Sequence, residues 1–130
     1  MDSTNASEIN KIAANLLEFA GKIGEYRENN FDKISDKENE SLKTMQTSIL
    51  DYADELYTQS AIKVADEIQD SLKNINNLVE DINKTYTDLK GIQNAIDIAT
   101  SIVNVGVSII SQNPGSIAKS FSNLVSVCNK

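Results

Sequence analysis

Between Gly91 and Gln112 the chain reads GIQNAIDIATSIVNVGVSIISQ, and its polar and apolar residues separate onto two faces of a helix. At 100° per residue, Gln93, Asn94, Asp97, Thr100, Ser101, Asn104, Ser108, Ser111 and Gln112 all fall within about 60° of Asp97. Ile92, Ala95, Ile96, Ile98, Ala99, Ile102, Val103, Val105, Gly106, Val107, Ile109 and Ile110 fill the remaining arc of about 240°. A surface helix needs an apolar stripe only somewhat wider than about 100°. This segment therefore needs several covering surfaces, which could be helices of its own bundle, other subunits or lipid. Asn113-Pro114-Gly115 ends it, because proline cannot continue a helix and the triplet has turn chemistry. A shorter amphipathic helix over Ser116 to Cys128 follows, with Ile117, Ala118, Phe121, Leu124, Val125 and Cys128 on one side.

Upstream, Ile9, Ile12, Leu16, Phe19, Ile23 and Tyr26 recur at alternating spacings of three and four, the seam of a helix packed lengthwise on another. Ala13, Leu17 and Ala20 widen that stripe, while Gly21 and Gly24 weaken it. Ser3 to Asn5 offer a cap for this helix. Asn29-Asn30 ends it, and Phe31 and Ile34 are placed to pin the connection. Ser35-Asp36-Lys37-Glu38 fits a capping box. From there to Lys90 no Gly or Pro intervenes, and an unbroken helix would be about 80 Å long. Its apolar positions step by four between Leu56 and Leu72, which turns the stripe around the helix, and its weakest point is Thr58-Gln59-Ser60. No strand pattern competes, since even the β-branched run Ile102 to Ile110 keeps its polar residues at helical spacing. The expected fold is all-α, an elongated antiparallel bundle of four or five helices with one long central helix. It forms a single domain over 1–130, with acidic amphipathic helices over 1–90 and an apolar helical hairpin over 91–130.

Charge follows the same division. Residues 1–90 carry 10 basic and 18 acidic side chains, whereas residues 91–130 carry only Asp97, Lys119 and Lys130. An acidic body repels nucleic acid and anionic headgroups, so nucleic-acid partners are disfavoured. Asp54, Glu55, Asp66, Glu67, Asp70, Glu80 and Asp81 form its candidate acidic face, with Lys63–Glu67 and Glu80–Lys84 spaced as i,i+4 pairs. The MDSTNASEIN start has neither a basic nor an apolar signal region, so the expected location is cytoplasmic, or outside by a route without an N-terminal signal. The sequons at Asn5, Asn39 and Asn83 then read as products of an asparagine-rich composition. One cysteine, Cys128, fits a reducing compartment and shares a face with Ile117, Phe121 and Leu124.

The chain has no histidine, which removes imidazole bases and ligands, and its single cysteine cannot build a structural zinc site. The carboxylates lack the spacing of a calcium loop, and no phosphate-binding glycine loop is present. Neither an enzyme nor a cofactor or metal is expected. The candidate interaction element is Ile92, Ile96, Ile98, Ile102, Val103, Val105, Val107, Ile109, Ile110, Phe121 and Leu124, with a polar stripe of Asp97, Thr100, Ser101, Asn104 and Ser108. About 20 residues match the hydrocarbon thickness of a bilayer, and Ala99 and Gly106 permit close helix contact. As a lone span it is costly because of Asp97; as one stave of an oligomer its polar stripe can face water.

A long acidic amphipathic helix followed by a small and β-branched apolar hairpin, Ala95 to Ile110 with the Asn113-Pro114-Gly115 turn, resembles the α-helical pore-forming toxins of the cytolysin A and haemolysin BL type. The resemblance implies a membrane-active hairpin. The expected function is thus a non-catalytic helical protein acting by helix–helix association, in its most specific form a small pore-forming or toxin-like component using residues 91–128. The alternative is a soluble partner-binding protein (an immunity protein, secretion chaperone or inhibitor) that presents its acidic helical face. A protein partner or self-association is expected in either case, with a membrane as the further option.

Overall fold

A computed structural model describes residues 2–59 and 69–129. Five α-helices carry the chain: α1 (Asp2–Asn29), α2 (Asp36–Gln59), α3 (Gln69–Thr85), α4 (Ile92–Ser111) and α5 (Pro114–Cys128), with a 3-10 turn over Tyr86–Asp88 between α3 and α4. No strand occurs among the described residues, and the fold is an all-α bundle. Several boundaries follow directly from local chemistry. Ser35 Oγ accepts from the Glu38 N–H at 3.1 Å while the Ser35 N–H donates to Glu38 Oε1 at 2.8 Å, the reciprocal cap that the sequence predicts for α2. Asn113 caps α5 by accepting from the Ser116 N–H at 3.0 Å, and Pro114 occupies the first helical turn, where its missing N–H costs nothing. At the other end of the fold α1 starts before the cap expected at Ser3 to Asn5, so those residues lie within the helix.

The stretch from Ser35 to Lys90 is not one helix. Arg27 near the end of α1 donates to Asn39 and Gln46 of α2, so α2 runs antiparallel to α1. Asn76 then bonds to Glu8, and Asn83 to the Asn15 carbonyl, so α3 runs parallel to α1. α2 and α3 therefore run in opposite directions, and the weak point expected at Thr58-Gln59-Ser60 falls at the edge of the described residues. The run of fours across Leu56 to Leu72 lies mostly outside the described residues. Among the described residues the longest helix is α1, whose 28 residues span about 42 Å.

The main packing contacts close a ring, in which α1 meets α2 and α3, α2 meets α4, α4 meets α5, and α5 returns lightly to α3. Helices consecutive in sequence alternate in direction, whereas the neighbours α1 and α3, and likewise α2 and α4, run parallel. The core fills the ring. Ile9, Ile12, Leu16, Phe19, Ile23 and Tyr26 of α1 are all buried in it, as are Leu42, Ile49 and Leu56 of α2 and Leu72, Ile75, Val79 and Ile82 of α3. Tyr86 closes its lower end: its ring stands edge-on to Phe19 with centroids 4.8 Å apart and lies 5.5 Å from Tyr26. Leu17 does not share this burial. Although it widens the sequence stripe, it lies outside the bundle and is 48% exposed. Phe31 likewise fails to pin the first connection, being 66% exposed, and Ile34 packs against the core in its place.

Candidate functional site

The apolar hairpin is held at its turn by two devices. Gln112 adopts the left-handed conformation with φ 57° and donates its N–H to the Ile109 carbonyl, ending α4, and Asn113 then starts α5. Within α4, Ala95, Ile98, Ala99, Ile102, Val105, Gly106 and Ile109 are buried in the bundle's own core. Ile92, Ile96, Val103 and Ile110 are half-buried and packed against it, and on α5 Leu124 is buried and Phe121 half-buried. Of the candidate interaction residues only Val107 is mainly exposed, at 46%. The broad apolar arc is thus covered largely from within the molecule.

The same holds for the close approach that Gly106 permits. A Cβ on Gly106 would stand 3.2 Å from the Tyr52 ring, so the surface that presses on this glycine is α2. The polar stripe divides. Gln93, Thr100, Asn104, Ser111 and Gln112 are exposed, while Ser101 and Ser108 are buried. Asp97 accepts from Gln93 Nε2 at 2.9 Å, Ser108 Oγ donates back to the Asn104 carbonyl, and Thr100 Oγ1 lies 3.4 Å from Met45 Sδ. By length and composition α4 is able to cross a membrane, its apolar window having a mean hydropathy of 1.4, and half of that window is buried in the bundle.

Where α3, α4 and the end of α5 meet, a cleft of about 240 Å³ is lined by Leu78, Ile82, Tyr86, Leu89, Ile98 and Cys128. Burial pushes the Cys128 thiol up from its ordinary value. Tyr86 spans the same region and donates its hydroxyl to the Ala95 carbonyl at 2.8 Å, tying the turn after α3 to the start of α4. Burial raises its pKa strongly, with the neighbouring Tyr26 adding to the shift.

The acidic residues do not form one face. Asp54 and Glu55 are exposed on α2, and Asp70 and Asp81 are exposed on α3, which lies on the other flank of α1. Glu80 meets Lys11 of α1 at 3.5 Å and so bridges two helices, in place of the pairing with Lys84 along its own. Asp66 and Glu67, and with them the Lys63–Glu67 pair, lie outside the described residues. Among the described residues no three His, Cys, Asp or Glu side chains gather as a metal site.

A polar seam between α1 and α3 is a feature that the sequence reading passes over. Asn76, 1% exposed, accepts from Asn15 Nδ2 at 2.9 Å and donates to both the backbone carbonyl and the carboxylate of Glu8. Asn83, 3% exposed, donates to the Asn15 carbonyl at 3.2 Å, and its own Oδ1 is buried with no partner. Glu8 and Asn15 are seven residues apart, as are Asn76 and Asn83. That matching heptad interval is the signal by which the seam is visible in the sequence. Buried in this way, Asn83 is no glycan acceptor in the folded chain. No protein family, curated protein or solved structure matches this chain.

Proposed function

We propose that this chain is a non-catalytic helical bundle that works by helix–helix association with a protein partner. One observation carries the reading. Most of the apolar surface of α4 and α5 packs into the chain's own core, and among the described residues four of the five large exposed apolar side chains (Leu17, Phe31, Leu50 and Tyr57) lie on α1, α2 and their connection, the fifth being Val107 of α4. Association through those two helices leaves the fold intact. Lipid insertion of the hairpin first has to strip Ile98, Ile102, Val105 and Ile109 from the core, at about 1.5–3 kcal/mol for each side chain left uncovered. The partner-binding reading expects no flotation with liposomes and no dye release between pH 4 and 8, together with a salt-sensitive complex with a protein partner.

A membrane-active hairpin is the second reading, favoured by the length and hydropathy of α4. It expects dye release, with loss of that release in Val107→Asp. This substitution is preferable to one at the half-buried Val103, because Val107 already faces solvent. Release by wild type and not by Val107→Asp would overturn the partner-binding reading.

A further inference from the structure

We propose that the outer seam between α1 and α2 is a docking groove for a basic amphipathic helix of a protein partner, an assignment that rests on the partner-binding reading above. Leu17, Gly21, Gly24 and Glu28 recur at spacings of four and three and so lie along one side of α1, and Phe31, in the connection just beyond it, lines the same hollow as Gly24 and Glu28. Gly24 faces α2, where a Cβ would come within 3.0 Å of Gln46 Nε2. Two turns toward the start of α1, the antiparallel register brings Leu17 level with Ala53. Leu50 and Tyr57 stand one turn to either side of Ala53. All three of Leu17, Leu50 and Tyr57 are exposed, at 48%, 40% and 44%. From Leu17 to Glu28 the seam runs about 17 Å, three turns of an incoming helix, with the exposed ring of Phe31 just beyond.

Gly21 sits along this strip, and nothing among the described residues accounts for it. It is exposed, its conformation is helical with an ordinary φ, and a Cβ there would meet no atom within 4 Å. A mid-helix glycine weakens its helix relative to alanine, and no internal contact offsets that loss. A bare backbone flanked by Leu17 and Phe31 does, however, let a second helix approach closely.

Charge selects the occupant. Glu25, Glu28, Glu40, Asp51 and Asp54 are exposed around the seam, with Lys43 among them. Arg27 lies in its floor with its guanidinium engaged by Asn39 and Gln46, and Glu25 is met by Lys22 at 3.7 Å. Over residues 1–59 twelve acidic side chains stand against six basic ones. A second copy of this chain would bring the same sign to the interface, whereas a helix with apolar residues on one face and lysine or arginine beside them complements both the strip and its rim.

The test uses the full chain and a labelled 18-residue peptide of leucine and lysine in heptad pattern, with its leucine–glutamate counterpart as control, followed by fluorescence anisotropy. The leucine–lysine peptide is expected to bind at least tenfold more tightly than the control, and its affinity to fall at least tenfold between 50 and 300 mM salt. Gly21→Gln fills the strip without touching the fold. It should raise the Kd at least tenfold while helicity is kept and the melting temperature does not fall, and Leu17→Ser should do the same. Equal affinity for wild type and Gly21→Gln would overturn the seam assignment while leaving partner binding elsewhere on the bundle standing. Equal binding of the two peptides would overturn the choice of a basic helix. A wild-type dimer that Gly21→Gln converts to monomer would make the occupant a second copy and overturn the proposal in that way.

Discussion

At the scale of single residues, two glycines three positions apart in α1 have opposite surroundings. Alanine at Gly21 meets open space, so Gly21→Ala should stabilise the fold by about 0.5–1 kcal/mol, seen as a rise in melting temperature. Alanine at Gly24 presses on Gln46 Nε2 at 3.0 Å and disturbs the bond from Arg27 to that amide, so the gain should shrink or reverse. Comparing the two melting curves checks this. The buried tyrosines set an alkaline limit. Tyr86 is raised by burial and then by Tyr26, and Tyr26 by burial and then by Glu38. Both hydroxyls hold their protons more tightly when folded. Their contribution is therefore complete below the ordinary tyrosine value of about 10 and is lost as pH climbs through the folded values. The melting temperature should be insensitive to these groups from pH 7 to 9 and fall above pH 10. Tyr86→Phe should cost about 1 kcal/mol at pH 7, because the Ala95 carbonyl loses its donor, and it should make the alkaline fall shallower.

At the scale of elements, the local signals were the legible ones. Ser35 with Glu38 specifies a helix start through atoms three residues apart, and that start forms as the sequence implies, whereas α5, expected from Ser116, begins two residues earlier at Pro114 because Asn113 caps it. The heptad positions of α1 were legible for the same reason. What periodicity could not supply was which flank of each stripe meets a neighbour. Leu17 lies only a small rotation away from Ala13 and Ala20, yet those two are buried and Leu17 is outside. The opposed directions of α2 and α3 were equally hidden, because no Gly or Pro in the sequence between them marks the change. That pairing is sealed by polar groups with unequal stakes. Asn76→Leu strands the Asn15 amide and removes two bonds to Glu8, and should cost about 1–3 kcal/mol. Asn83→Leu gives up one bond to the Asn15 carbonyl but also removes an oxygen that is buried without a partner, so its cost should be clearly smaller. Urea unfolding of the two variants separates them.

At the scale of the whole molecule, the question raised by the α4 arc concerned coverage, and the reversal answers most of it. An 80 Å helix would have left long apolar stretches bare; two shorter helices on either flank of α1, with α4 against α2, cover nearly all of them. Among the described residues, most large apolar side chains left exposed lie on α1, α2 and their connection, with Val107 the exception on α4. The candidate site was therefore only partly legible: the apolar arc of the hairpin could be read from the sequence, but not that Tyr52, Tyr86 and their neighbours in the same chain pack against it. The parallel pairing of α1 with α3 also governs the order of assembly. The α1–α2 and α4–α5 hairpins join segments adjacent in sequence, whereas the contacts of Asn76 with Glu8 and of Asn83 with Asn15 each close a loop of 68 residues. Loop-closure entropy makes such contacts late ones. Truncations in α3, such as Ile75→Val, should then accelerate unfolding while leaving the refolding rate nearly unchanged, whereas Ile49→Val in α2 should slow refolding. Stopped-flow chevrons of the two variants read this directly, and they make α3 the latch whose release sets the lifetime of the folded chain.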